Sequence, residues 1–547
     1  LNENILTYNK TFKDKHNLTA LVGYTQQETK WDRLRAAGRN APSDLIPTLN
    51  ASAQIDAATS NISRWAINSI LSRFSYIFDD KYSVAASVRR DGSTRFGKSN
   101  QYAIFPSVSG FWRVSAEPFM ANMKSVNDLK FRVSYGQTGN QNIGDFLSRA
   151  RFGVVGQYNG VAAVSPLNFE VPTLSWEATT QFDAGIDLSV LDNRLTFIAD
   201  YYVKKTSDLL VEVQLPTSSG FTTSLQNIGS TKNTGVELGV SARLITKGAL
   251  LWDANFNVSH NNNIVTKLPK GKDIIQFAWI YSGIAREGEQ LGTFYGWQHL
   301  GVYSRDEDAY LTEVGKGPNG NSLYDFVRNV PGSQPALDAN GNPKVLRNLS
   351  SGGVAFKGGD VIFQDLNQDG VINNDDQKII GRAQPKLFGG ITNNFSFKGF
   401  DLNVFMQFQY GNDVVNAARR GLENMQDHTN QSVAITRRWR KQGDVTDIPR
   451  AVYRDDIQNA RFSTRWIEDG SYFRMKTITL GYNFPKNLVN RAYFSSARVY
   501  ITSQNLFTFT KYRGVDPEFT GGVIVGGIDW STFPQPRTVT FGLNLGF

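Results

Sequence analysis

The residues 365–376, Asp365-Leu366-Asn367-Gln368-Asp369-Gly370-Val371-Ile372-Asn373-Asn374-Asp375-Asp376, space oxygen donors in the way a calcium loop requires. Calcium gathers roughly six to eight hard oxygens, which a twelve-residue loop supplies from alternating positions. Asp365, Asn367 and Asp369 fall at positions 1, 3 and 5, and the backbone carbonyl of Val371 falls at position 7. Asn373 at position 9 would act directly or through water, and Asp376 closes the loop at position 12. Gly370 stands where the chain must turn sharply, and Ile372 follows as an apolar anchor. Asp replaces the usual Glu at the last position, so its shorter side chain calls for a tighter loop. The expectation is a structural Ca2+ site; without metal, the same residues would form an Asx-rich turn.

Other chemistry is poorly provided for. The chain has no cysteine, which removes thiolate catalysis, disulfides and Cys-ligated zinc. Its four histidines, His16, His260, His299 and His428, are dispersed and form no His-Glu-x-x-His pair. No catalytic residue is assigned, and an enzyme is not expected. The 58 Lys and Arg exceed the 49 Asp and Glu, but they are scattered along the chain. One cluster, Arg437, Arg438, Trp439, Arg440 and Lys441, reads as a solvated loop, so no nucleic-acid partner is expected. Trp279, Tyr295, Trp297 and Trp466 are suited to stacking on sugar rings, but they suit loop packing as well. Substrate-binding residues therefore stay unassigned.

The elements that position these residues read as strands. From Asp401 to Tyr410, Leu402, Val404, Met406, Phe408 and Tyr410 alternate with Asp401, Asn403, Gln407 and Gln409. Trp252 to Ser259, Phe182 to Val190 and Leu129 to Tyr135 repeat the pattern. The runs last about ten residues, the span of a tilted transmembrane strand, where soluble strands average about five or six. No apolar run approaches the ~20 residues of a membrane helix. About fifteen such strands occur, near 4–12, 16–27, 66–79, 82–91, 102–115, 128–137, 174–190, 194–205, 233–246, 250–262, 386–398, 400–411, 472–484, 497–510 and 537–547.

Short and long connections alternate between them. Turns at Asp14–Lys15, Asp79–Lys81, Asp192–Asn193, Thr246–Gly248 and Lys398–Gly399, with two of medium length at Glu117–Asn127 and Pro485–Ser496, contrast with loops at 28–65, 92–101, 138–173, 206–232, 263–385, 412–471 and 511–536. Short periplasmic turns and long external loops mark an outer-membrane barrel. Tyr82, Trp252 and Tyr482 lie near strand ends, as interfacial girdles require. The last strand alternates Val539, Phe541, Leu543, Leu545 and Phe547 with small or polar residues and ends on an aromatic. The expected fold is all-β: a transmembrane antiparallel β-barrel with long extracellular loops. Single-chain barrels normally have even strand numbers, so an odd number is expected upstream, and seven would complete a plugged barrel of about 22.

Several motifs resemble the SusC/RagA family of TonB-linked outer-membrane transporters. They are Arg89-Arg90-Asp91-Gly92-Ser93-Thr94-Arg95-Phe96-Gly97 with Phe105-Pro106-Ser107; Ser134-Tyr135-Gly136-Gln137-Thr138-Gly139-Asn140-Gln141; Asn227-Ile228-Gly229 with Asn233-Thr234-Gly235-Val236-Glu237; and Gly359-Asp360 leading into the calcium-like loop. Arg438-Trp439, Ile448-Pro449-Arg450, Asp469-Gly470-Ser471-Tyr472-Phe473-Arg474, Ser503-Gln504-Asn505-Leu506 and Asp516-Pro517-Glu518 follow in family order. The resemblance implies that 1–547 is the C-terminal part of a receptor barrel, with an N-terminal plug, a TonB-contacting segment and the first strands lying outside it. It also implies TonB-driven import of oligosaccharides, or of peptides in some members, across the Gram-negative outer membrane. The implied partners are a SusD-like surface lipoprotein, TonB, the glycan or peptide cargo and outer-membrane lipid. Two other readings of the strand pattern remain open here. One is a passive porin or adhesin-type barrel; the other is a soluble secreted carbohydrate-binding β protein with a dockerin-like calcium segment.

Overall fold

A computed structural model describes the chain except residue 47, 270–272 and 520–525. Fifteen strands form one sheet in chain order. They are β1 (Asn2–Phe12), β2 (His16–Arg39), β3 (Gln54–Phe78), β4 (Tyr82–Ser93), β5 (Tyr102–Arg113), β6 (Val126–Asn140), β7 (Glu177–Val190) and β8 (Leu195–Gln214). Then come β9 (Thr223–Ile245), β10 (Leu250–Lys267), β11 (Leu387–Phe397), β12 (Phe400–Tyr410), β13 (Tyr472–Asn483), β14 (Ser496–Thr510) and β15 (Thr538–Gly546). The strand count and order match the alternation in the sequence. Two compact units divide the chain, one of 1–236 with 266–269 and one of 237–265 with 270–547.

The short turns follow from residues that tolerate left-handed backbone. Lys398 and Gly399 link Phe397 directly to its partner Phe400 with φ of 46° and 91°, the primed geometry that matches strand twist. Asp14, Asp79, Asp80, Asp192 and Asn193 take φ between 53° and 58° in the equivalent turns.

Alternation sorts the side chains into two faces. In the first unit, Arg132 on β6 pairs with Asp187 on β7 at 2.8 Å and with Asp200 on β8 at 2.9 Å, and Lys130 reaches Asp187 at 2.7 Å. The other face carries bare Phe131, Val133, Tyr135, Phe182 and Ile186. An apolar outer face and a paired polar inner face are what a lipid-bounded sheet requires. In the second unit, Trp252 stacks on Phe395 with ring centres 5.3 Å apart, and Tyr482 lies on Phe400 at 4.6 Å. These aromatics sit at the ends of strands joined by short turns, where the sequence places a girdle.

Two expected loops turn out to be largely strand. Residues 28–65 continue the β2–β3 ribbon, paired as far as Arg39 with Gln54, so the connection shrinks to 40–53. β8 and β9 extend likewise into 206–232. There charged and apolar residues mix on both faces, as in Lys30-Trp31-Asp32-Arg33-Leu34, so ladder hydrogen bonds continue without an alternating pattern to reveal them.

Candidate functional site

The long segment 263–385 holds a core of its own. Tyr303, Ala309, Leu311, Phe326, Leu346, Phe356, Val361, Ile362, Phe363 and Ile372 are buried together with Ile457 from 412–471. Their strands run only two to six residues, too short to show a period in sequence.

The calcium-like loop rests on this core. Ile372 is fully buried, and Val371–Ile372 pairs in parallel with Arg347–Asn348. Gly370 takes φ 81°, and its N–H donates to Asp365 Oδ2 at 2.8 Å, drawing the first residue over the turn. Asn367 Oδ1 accepts from the Asp369 N–H at 3.1 Å, and Asp369 Oδ1 accepts from the Val371 N–H at 2.8 Å. Asn373 caps the turn 374–376 through the Asp375 N–H at 2.6 Å. Asp376 is wholly buried and clasps both ends, accepting from Leu366 N–H at 2.9 Å and Asn373 N–H at 2.7 Å. Asp365 Oδ1 is buried without a hydrogen-bond partner. Burial, with the charges of Asp376 and Asp369 behind it, pushes the Asp365 carboxyl up to about 7. Burial raises the Asp376 carboxyl as well. Among the described residues no three His, Cys, Asp or Glu side chains are grouped as a metal site. The spacing thus brings the six sequence-chosen residues into one tight loop, with its carboxylates distributed over backbone donors.

The four loop aromatics have different fates. Trp466 is fully buried between Arg419 and Arg465, with ring-to-guanidinium distances of 5.4 and 4.4 Å. Trp297 packs on the core and donates to the Asn373 carbonyl at 2.8 Å. Tyr295 lies in the strand Thr293–Gly296, its ring 5.7 Å from the Arg286 guanidinium. Trp279 is 72 % exposed and has φ of 58°, a conformation strained for a bulky residue. Its ring centre lies 6.3 Å from that of the half-exposed Trp530 and 5.4 Å from the buried Arg420 guanidinium. Tyr281 meets Trp530 edge-on at 5.3 Å. Trp530 was missed in the sequence because it lies some 250 residues from Trp279 and carries no motif of its own.

The recognisable motifs prove to be loop anchors. Arg95 binds Asp145 at 2.7 Å and the Gln141 carbonyl at 3.2 Å, and Phe96 is buried with Phe105, Ile143, Leu174 and Trp176. Asn227 accepts from Ser175 N–H at 2.8 Å and donates to the Ser175 and Asp208 carbonyls. Arg450 binds Asp360 at 2.7 Å, and Gly359, at φ 86°, lies so close to Trp439 that a Cβ would stand 2.5 Å from the indole. Arg474, 2 % exposed, binds Asp516 and, at 2.6 Å, Glu518; Lys476 joins Glu518 at 2.8 Å. The basic cluster at 437–441 is solvated at its rim, with Arg437 3.5 Å from Asp447 and both side chains exposed.

The barrel-domain model of TonB dependent receptor-like proteins matches residues 2–352. The chain belongs to the TonB-dependent receptor-like β-barrel family. It is 33 % identical across its whole length to TonB-dependent receptor P3 of Formosa agariphila, covering 52 % of that protein. It is 29 % identical over 90 % of its length to TonB-dependent receptor SusC of Bacteroides thetaiotaomicron, covering 45 % of it. The solved RagAB peptide transporter superposes on the entire chain with a TM-score of 0.81 at 27 % identity, over 55 % of the transporter chain. The chain spans about half the length of the curated relatives it matches. The SusC/RagA resemblance carried by the motifs therefore holds over the whole chain. This is an outer-membrane family of transporters rather than enzymes, which sets aside the soluble carbohydrate-binding reading.

Proposed function

We propose that the full-length protein imports oligosaccharides across the outer membrane in a TonB-dependent way, capped by a SusD-like surface lipoprotein. The exposed Trp279–Trp530 pair carries the choice of cargo. Sugar rings present flat C–H faces that stack on indole, and exposed, rigid aromatics bind at low entropic cost. A strained Trp279 braced by a buried guanidinium supports a pre-set platform rather than a packing residue. Titration of the purified full-length protein with defined neutral oligosaccharides, followed by tryptophan fluorescence and calorimetry, tests this. Trp279→Ala with Trp530→Ala should weaken binding at least about tenfold, equal to about 1.4 kcal/mol. Saccharide binding unchanged by the double substitution would contradict the assignment. The likeness to a structure described as a peptide transporter favours a second reading, peptide cargo. Peptide binding with no saccharide binding in the same titrations would establish it.

The loop 365–376 is proposed to take Ca2+ through Asp365, Asn367, Asp369, Asn373, Asp376 and the Val371 carbonyl. The buried, partnerless Asp365 Oδ1 and the raised carboxyls of Asp365 and Asp376 support a cation there. The ion would be structural, tying the loop to the core beneath Ile372. Calcium titration by calorimetry, compared with Asp365→Ala plus Asp369→Ala, tests it. Equal heats for both proteins would rule it out.

A further inference from the structure

Among the described residues, the expected loop 138–173 contains a hairpin that belongs to none of the three buried cores. Its strands, Phe152–Tyr158 and Val161–Pro166, pair only with each other in a sheet of two. Asn159 and Gly160, with φ of 49° and 78°, form its turn. Its base is fixed, because Leu167 N–H donates to the Arg151 carbonyl at 2.7 Å and Asn168 donates to the Arg149 carbonyl at 2.9 Å. Above that base, Phe152, Val154, Val155, Tyr158, Val161, Val164 and Leu167 are between 52 % and 83 % exposed. Val155 is the extra residue of a bulge, and the paired Val154 and Val164 lie on one face while the paired Tyr158 and Val161 lie on the other, so both faces of the hairpin are bare. No charged residue occurs between Arg151 and Glu170.

Such a surface is unsuited to water, since an exposed apolar patch of this kind marks an interaction site. A lone two-stranded hairpin also has little stability of its own. Lipid is excluded by the backbone: both outer edges carry open N–H and C=O groups, which the hydrocarbon region does not tolerate. A protein surface satisfies both demands, giving an apolar cleft for the side chains and a strand for the free edge. Phe152 and Tyr158 offer roughly 150–250 Å² each, and with the five aliphatic side chains the patch reaches several hundred Å². That approaches the ~800 Å² one partner contributes to a standard interface.

We propose that this hairpin is a principal seat of the surface lipoprotein, gripped on both faces and extended at an edge by a strand of the lid. The assignment rests on the lid proposed above. It follows from the hairpin's place in a long connection of the external class, where a lid would sit.

The test uses the full-length protein in its native host, with surface lipoproteins tagged through their lipid anchors. p-Benzoyl-phenylalanine in place of Tyr158 should cross-link to the lipoprotein on intact cells. Val154→Asp with Val164→Asp should reduce co-purified lipoprotein at least tenfold in mild detergent while the barrel keeps its heat-modifiable band. A cross-link to a second copy of the chain or to lipopolysaccharide overturns the proposal, as does undiminished lipoprotein with the double variant. If the wild-type protein brings down no lipoprotein at all, the lid itself fails, and the hairpin assignment falls with it.

Discussion

Asp360, wholly buried, holds Arg450 through two oxygens at 2.7 and 3.2 Å, joining the segments 263–385 and 412–471. Asn459 donates to the same carboxylate at 2.9 Å, and the Lys357 N–H donates at 3.0 Å. Every acceptor site of consequence is used, so the buried charge is compensated. Asp360→Ala leaves Arg450 unpaired beside the core, at a local cost of about 3–5 kcal/mol. Hydrogen exchange at Val361–Phe363 and around Ile457 should speed up by orders of magnitude, with the strands β11 to β13 unaffected. Unchanged protection would show that the ion pair does not hold the two segments.

His299 gives the loop core a pH response. Burial, with the charges of Arg465 and Arg419 behind it, pulls its imidazole down to about 4, and its Nε2 has no hydrogen-bond partner. Between that value and the ordinary 6.5, the opened segment binds a proton that the closed one refuses. The His299 contribution is therefore fully present above about 6.5 and is lost as pH falls toward 4, opposite in sign to that of the raised Asp365 carboxyl. Exchange near Thr464, whose hydroxyl accepts the His299 backbone N–H at 3.0 Å, should quicken across that window. His299→Gln should remove the acid-side loss; the same loss in that variant would assign the effect elsewhere.

Most of the barrel portion was legible because lipid imposes a period of two on every spanning strand. β12, for example, was read at 400–411 and runs Phe400–Tyr410. Where that solvent ends, the code ends, and β2 and β3 ran on unseen through 28–39 and 54–65. The core around Tyr303 and Phe356 was hidden for a related reason, since irregular two- to six-residue strands leave no pattern. Motifs were visible singly, but their partnerships were not. Arg474 meets Asp516 and Glu518 across more than forty residues, and only coordinates bring them together. The spacing of 365–376 gave the turn at Gly370 and the anchor at Ile372, yet not the inward clasp of Asp376. Of four candidate stacking aromatics, burial separates Trp279 from the rest.

Topology can be read on living cells. Val445, 93 % exposed, and Leu337, 62 % exposed, lie in the two longest connections. Val445→Cys and Leu337→Cys in the full-length protein should react with an impermeant maleimide on intact cells. A cysteine at Asp192, in a short turn, should react only after lysis. The reverse pattern would invert the orientation.

Energised uptake is the most direct measure of the account. Cells carrying the full-length protein should accumulate a fluorescently tagged oligosaccharide that the purified protein binds. Accumulation should stop when TonB is deleted and fall at least tenfold with Trp279→Ala plus Trp530→Ala at equal surface levels. Uptake that continues without TonB would contradict active import and point to a passive pore.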